Sequence, residues 1–186
     1  MSPKVKFKMI NINATFLILC LGLLFPQSLI TNNTYYNKAD SLNEQKEYLQ
    51  ADAMYQRALI EFLNNKDEHA VAWTYNKLGG ISLDTEQFDL AIERYNKSLK
   101  YSVSITDSIL LGKTYNNIGL CYYKKYNFDS AIAYYDSSTV YRKSRPYSYT
   151  MTLNNIGTTY ELSGDYSYAI KYYNKSLIIR RKLKEK

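Results

Sequence analysis

The apolar and polar positions of this chain fall into a pattern that returns four times. Two small residues stand twelve positions apart in Ala39 and Ala51, Gly79 and Ala91, Gly119 and Ala131, and Gly157 and Ala169. The second members follow one another after 40, 40 and 38 residues, a spacing in the range of stacked repeat arrays. Within each unit, apolar and small residues recur at steps of three and four, as on one face of a helix and not in the alternation of a strand. The third unit reads Tyr115-Asn116-Asn117-Ile118-Gly119 with Tyr122, and the fourth Leu153-Asn154-Asn155-Ile156-Gly157 with Tyr160. A polar break follows each, Lys125-Tyr126-Asn127 or Gly164-Asp165, and then an aromatic residue, Phe128 or Tyr166. After it come Ala131, Tyr135 and Ser138, or Ala169, Tyr173 and Ser176. Each unit is therefore expected to be two antiparallel helices joined by a tight turn. In the leading unit the pattern predicts helices over 34–44 and 48–63.

A glycine inside a helix costs about 1 kcal/mol relative to alanine, so three of them at equivalent sites need a reason. Close approach supplies one. Gly79, Gly119 and Gly157 would let Ala91, Ala131 and Ala169 of the partner helix come near. The aromatic residue four positions after each alanine would then fill the wider space beyond the contact.

These residues resemble the tetratricopeptide repeat family, whose units carry an aromatic, Leu-Gly and Tyr in the first helix, then Ala, an aromatic and a small residue in the second. In the second unit the match falls on Tyr75, Leu78-Gly79, Ala91, Tyr95 and Ser98, with Ser82 where Tyr is usual. The first unit matches at Tyr35, Ala39, Ala51, Tyr55 and Ala58 but has Lys38 where a large apolar residue belongs. A divergent terminal unit is expected, because one of its faces meets water. The period exceeds the usual 34, and the customary closing proline is absent except for Pro146. Longer helices absorb the difference, from Ala91 toward Ser104 and from Ser108 toward Lys125. This long form resembles the arrays of kinesin light chains and of bacterial sensory regulators. The resemblance implies an all-α, right-handed superhelical solenoid of four helix hairpins. Its units would run approximately 32–66, 67–106, 107–145 and 146–186, after a leader over 1–30.

Charge adjusts this picture only at the ends. Of the formal +7, Lys4, Lys6 and Lys8 lie in the leader, and Arg180, Arg181, Lys182, Lys184 and Lys186 lie in the tail beside Glu185. The stretch between has as many acidic as basic residues. A neutral body lacks the basic stripe that phosphate backbones demand, so nucleic acid is not an expected partner. The tail cations suit a helix C-terminus. The leader places three lysines before an apolar run from Ala14 to Phe25. That run fits a signal-peptide core of about 7–15 residues and falls short of the 20 or so that span a bilayer. Export is thus expected, to the periplasm or to a membrane anchor facing it. Cleavage after Ser28 and an uncleaved anchor are the two alternatives, and the second is the one link to a membrane. Lipidation at Cys20 is disfavoured by Leu19, which is not small.

Nothing assembles into a catalytic, cofactor or metal constellation, so the expected role is binding and not catalysis. One histidine and one cysteine outside the leader cannot supply a zinc ligand set. The glycines sit within helices and do not follow a strand, so they form no phosphate loop. Cys121 reads as a packing thiol and His69 as a solvated turn residue. Asp52, Glu93, Asp129 and Asp136 read as solvated helix faces with weak ion pairs.

One column stands apart. Asn76, Asn116 and Asn154 each lie three residues before the helix glycine, although asparagine is a poor to average helix former. At 100° per residue, Lys113, Asn116, Leu120 and Tyr123 turn roughly 130° from the core set of Tyr115, Ile118, Gly119 and Tyr122. They face the hollow of the solenoid, as do Trp73, Asn76, Gly80 and Leu83 in the second unit and Met151, Asn154, Thr158 and Glu161 in the fourth. An amide both donates and accepts, so a ladder of them can hold an extended peptide backbone of any sequence. Trp73, Leu120, Tyr123 and Met151 would add apolar contact. The alternative is that the asparagines bond neighbouring helices and set the stacking. Two functions follow from the resemblance: an exported scaffold for a protein or extended peptide, or the sensory ectodomain of a membrane histidine kinase or transcriptional regulator. The basic stretch Lys182-Leu183-Lys184-Glu185-Lys186, with no polar capping helix, motivates the second.

Overall fold

A computed structural model describes residues 32–185; the leader over 1–30 lies outside them. Among the described residues there are eight helices and no strand. They are α1 (Thr34–Glu44), α2 (Tyr48–Asn64), α3 (Glu68–Asp84), α4 (Phe88–Ser104), α5 (Ser108–Lys124), α6 (Phe128–Arg142), α7 (Pro146–Ser163) and α8 (Tyr166–Lys184). Consecutive helices pack as antiparallel hairpins, and α5 also touches α3 on one side and α7 on the other. The first helices therefore form the inner layer of a solenoid and the second helices the outer one. The expectation of helices in the leading unit is met to within one residue. No helix of the described residues is long and apolar enough to cross a membrane.

Five of the turns are built alike. Lys46, Lys66, Glu86, Thr106 and Tyr126 adopt positive φ between 54° and 62°. In each, the residue after the left-handed one donates its backbone N–H to a carbonyl five residues back, as Glu86 does for Gln87 N–H to Ser82 O at 2.8 Å and Thr106 for Asp107 N–H to Ser102 O at 3.0 Å. This is the Schellman closure, which satisfies carbonyls orphaned at the helix end. The donor residue then starts the next helix. Asp67, Asp107 and Asn127 accept backbone N–H groups through their side chains at 2.9–3.2 Å. Gly164 plays the left-handed part in the last hairpin, at φ 88°. The α6–α7 connection is the exception. Lys143 stays right-handed and Pro146 opens α7 at a position where a missing N–H is harmless. The shorter spacing of 38 thus falls at α6 and the turn after it.

Inside each hairpin the helix glycine has a different neighbour from the one expected. A β-carbon on Gly79, Gly119 or Gly157 would lie 2.6–2.7 Å from the ring of Tyr95, Tyr135 or Tyr173. The tyrosine ring, and not the partner alanine, supplies the atoms nearest the vacant place. Ala91, Ala131 and Ala169 are nonetheless buried, because the ring brings the two helices close enough to seal them. Tyr55, Tyr95 and Tyr135 are fully enclosed, and burial pushes their hydroxyl pKa values well above the usual phenol range. The first hairpin has Ala39 in place of the glycine. There Tyr55 gives its hydroxyl to Asp40 and meets Tyr36 edge to face at 5.3 Å. Cys121 is buried beside Ile118, and desolvation holds its thiol neutral by pushing its pKa up to about 12.

Two glycines of this fold should respond oppositely to alanine. Gly80 has only the Tyr95 hydroxyl, 3.9 Å from the place of a β-carbon, so Gly80→Ala should raise stability by about 0.5–1 kcal/mol through helix propensity. Gly119→Ala should lower it by about 1–3 kcal/mol, because the Tyr135 ring must move. Urea unfolding of both variants measures the difference. A second expectation concerns Thr106, a β-branched residue held at φ 55°. Thr106→Gly should gain about 0.5–1 kcal/mol after the entropy cost of glycine is subtracted, visible as a rise in Tm.

Candidate functional site

The inner face is organised by a polar node at the second–third and third–fourth stacking interfaces. Ser98 gives its hydroxyl to Ala72 O at 2.8 Å, Ser138 to Gly112 O at 2.7 Å, and Ser176 to Thr150 O at 3.2 Å. Each bond ties the second helix of a hairpin to the first. The next unit then joins through threonine. Asn76 donates from Nδ2 to Thr114 Oγ1 at 2.8 Å, and Thr114 lies 3.4 Å from Ser98 Oγ. One interface later, Asn116 Oδ1 accepts from Thr152 Oγ1 and from Asn155 Nδ2, both at 3.1 Å. Asn76 and Asn116 are accordingly buried.

The solvated ladder therefore does not stand at Asn76 and Asn116. A buried amide must find partners, and the threonine of the following helix is the nearest one. Asn154 differs. It is half-buried, and its side chain makes no hydrogen bond among the described residues. Leu120 and Tyr123 are half-buried, with Tyr123 tilted against Phe128 at 6.4 Å. Met151 is exposed. Trp73 is mostly buried and its indole N–H donates to Asp107 Oδ2 at 3.1 Å, with His69 Nε2 3.2 Å from the same indole nitrogen. His69 is thus an interface residue and not a solvated turn residue, 3.4 Å from Asp107 of the next unit.

A cavity of about 290 Å³ opens on this face between α5 and α7, lined by Ile109, Lys113, Asn116, Arg142, Arg145 and Met151 among others. Lys113 is the residue around which it is arranged. Its ammonium lies 5.1 Å from the centroid of the Trp73 ring and has no ion pair or hydrogen bond among the described residues. Burial lowers its pKa, and the charges of Lys77 and Arg142 lower it further. Arg142 reaches the same place because Gly112 has no side chain. A β-carbon there would lie 3.0 Å from Arg142 Cγ. The guanidinium donates to Thr152 Oγ1 at 3.0 Å and to Ser148 O at 3.4 Å, with no carboxylate partner among the described residues. The structure thus brings Trp73, Asn116 and Met151 together around Lys113 and leaves Leu120 and Tyr123 outside the cavity. Ile109, Arg142, Arg145 and Ser148 are the lining residues that the repeat pattern did not single out. Their one signal was the shortened third spacing with Pro146.

Removing a node amide should cost stability. Asn76→Ala leaves the Thr114 hydroxyl and its surroundings under-satisfied and should cost about 1–3 kcal/mol. Asn154→Ala should stay within about 0.5 kcal/mol; chemical unfolding of the two variants makes the comparison.

Acid should open the same interface. Burial alone would raise the Asp107 pKa, but hydrogen bonds from His69, the Leu110 backbone and Trp73 outweigh it, and the net shift is downward. A lowered folded-state pKa contributes stability that is fully present above the unfolded value of about 3.9 and is lost as pH falls through the folded one. Asp107→Asn should therefore flatten the loss of stability below about pH 4, as read from Tm against pH.

A family model described as tetratricopeptide repeat matches residues 30–102, 71–144 and 110–182. An uncharacterised ycf37 protein of Cyanophora paradoxa is 40% identical over 86 residues, covering 45% of this chain and 46% of that protein. The chain is thus matched to under half the length of this curated relative. Among solved structures, BtubC from P. vanneervenii aligns with a TM-score of 0.74 at 22% identity, over 81% of this chain and 63% of that one. The apo form of RapI aligns with a TM-score of 0.76 at 20% identity, over 81% and 56%. Aspartyl phosphate phosphatase F from Bacillus subtilis aligns with a TM-score of 0.76 at 18% identity, over 80% and 40%. At these identities the structures speak for the fold alone. With the glycine–tyrosine hairpins and the threonine nodes that stack them, the matches covering residues 30–182 make this chain a member of the tetratricopeptide repeat family.

Proposed function

We propose that the protein is a binding scaffold that takes an extended, acidic segment of a partner protein along its inner face. The observation that carries this reading is Lys113, a largely buried ammonium with no ion-pair partner among the described residues, over an aromatic ring and in a cavity that Arg142 and Arg145 also line. An unpaired buried charge is costly, and an incoming carboxylate relieves that cost. Met151 and Ile109 offer exposed apolar surface at the rim. Asn116 lines the cavity, but its amide oxygen is engaged by the fourth unit. Recognition of the segment thus rests on charge and apolar contact more than on an amide ladder.

Trp73 is the only tryptophan, so its emission reports directly on this face. Titration with a ten-residue peptide rich in Asp and Glu should change that emission saturably, and a lysine-rich peptide of equal length should not. Lys113→Gln should weaken the acidic peptide about tenfold or more, in line with charge-assisted bonds of about 1.5–3 kcal/mol. Its Tm should hold or rise, since an unpaired buried charge is removed. Equal binding of both peptides, or unchanged affinity in the variant, overturns the reading.

Export of the array is the second part of the proposal, supported by Lys4, Lys6 and Lys8 ahead of the Ala14–Phe25 run. A reporter enzyme that works only outside the cytoplasm, fused after Lys186, should be active. Charged replacements of Leu19 and Leu21 should silence it; activity that survives them removes the targeting role.

A further inference from the structure

The groove between the first and second units is built from a different set of side chains than the later grooves. Between the second and third units Ile92, Tyr122 and Tyr134 meet, and the two rings stack at 5.3 Å with 12° between their planes. The corresponding places one unit later hold Ile132, Tyr160 and Tyr172, with the rings stacked at 5.6 Å. Counting back 40 residues from the first set gives Asp52, Ser82 and Arg94. These three have changed together. Arg94 Nη1 pairs with Asp52 and donates to Ser82 Oγ at 2.8 Å and to Leu78 O at 3.0 Å. What the exchange removes is a ring. Serine does not fill the volume that Tyr122 takes up, and a cavity of about 270 Å³, lined by all three residues, opens between α2, α3 and α4. Ile81 and Ser82 are buried at its floor, Leu90 and Arg94 are half-buried on its walls, and Leu49 and Gln87 are exposed at its mouth.

We propose that this cavity takes the phenol ring of a tyrosine side chain carried by a partner protein, seated as Tyr122 and Tyr160 are seated in the later grooves. Size permits it, since an apolar cavity of about 150 Å³ already holds benzene. The guanidinium of Arg94 stands in the place of the Tyr134 ring, and such a plane stacks on aromatic faces. Its charge is balanced by Asp52, so the site suits a neutral ring and not a carboxylate. That sets it apart from the Lys113 cavity, with which it shares no residue. Leu49, Ile81 and Leu90 give the ring apolar contact. A phenol hydroxyl both donates and accepts, and the exposed amides of Gln56 and Gln87 lie at the mouth to meet it. A side chain is the expected source of the ring, because the same groove accepts a tyrosine presented by a helix backbone twice further along the chain.

Titration of the full chain with phenol, N-acetyltyrosinamide and cyclohexanol, followed by NMR at Leu49, Ala53, Ile81 and Leu90, tests this. Phenol and N-acetyltyrosinamide should shift these signals saturably. Cyclohexanol, of similar size but without a flat face, should bind about fivefold more weakly or less. Arg94→Lys keeps the charge beside Asp52 and loses the plane, so it should weaken phenol about threefold or more while the protein stays folded. The triple variant Asp52→Ile, Ser82→Tyr and Arg94→Tyr copies the later grooves. It should fill the cavity from within, raise Tm and abolish the saturable shifts. Equal binding of cyclohexanol, unchanged affinity in Arg94→Lys, or a folded triple variant that still binds phenol at these signals overturns the proposal. Binding of phenol without N-acetyltyrosinamide overturns the side-chain source, and binding of neither overturns the site.

Discussion

The contact on which every other feature depends is a tyrosine ring packed against a helix backbone that has no side chain. Gly79, Gly119 and Gly157 admit Tyr95, Tyr135 and Tyr173 to within ordinary carbon contact of the main chain. That distance sets how closely the two helices of a hairpin approach. The approach seals the alanines, and it brings Ser98, Ser138 and Ser176 within hydrogen-bonding reach of a carbonyl on the opposite helix. An aromatic ring gives large buried area at a cost of only two side-chain rotors. The propensity penalty of a mid-helix glycine, about 1 kcal/mol, is small beside it.

The stacking between hairpins follows a different rule. At the two interfaces among the second, third and fourth units its centre is polar: an amide, a serine and a threonine that satisfy one another in a buried interior. Such a node contributes modestly to net stability, yet a mismatched partner would leave buried groups unpaired. It therefore fixes register between units that are otherwise alike. Ion pairs at the edges repeat the theme. Lys77 meets Asp40 at 2.6 Å, Lys125 meets Asp89, and Arg94 joins Asp52 while also donating to Ser82 and Leu78 O. In each case the acid comes from the earlier unit and the base from the later one.

The inner-face cavity arises where the repeat is broken. Between α6 and α7 the shared turn gives way to a right-handed residue and a proline. The end of α6 is then held against α5 at Gly112, and Arg142 crosses to Thr152. Regular units pair their charges across each interface. At the irregular one, Lys113 and Arg142 have no carboxylate partner among the described residues, so positive charge is concentrated there.

Helix positions, hairpin pairing and the family were legible in the sequence, because they rest on local periodicity and on a pattern repeated four times. Repetition averages out local ambiguity, and so even the divergent first unit declared its two helices through Ala39, Ala51 and Tyr55. The partner of each glycine was not legible. Spacing says that a glycine and an alanine occupy facing helices, but only the packed interior shows that the tyrosine ring takes the vacant place. The asparagine column shows the same limit more sharply. Its angle on the helix suggests a place in the hollow of the solenoid, but the next hairpin covers that side at Asn76 and Asn116. Whether an amide there meets water or a threonine depends on residues roughly 36–38 positions later. Likewise Arg142 joins Lys113 only through a bare glycine and a shortened turn. Local sequence determined what each helix is; tertiary contact decided what each polar group faces, because burial is a property of the neighbours and not of the residue.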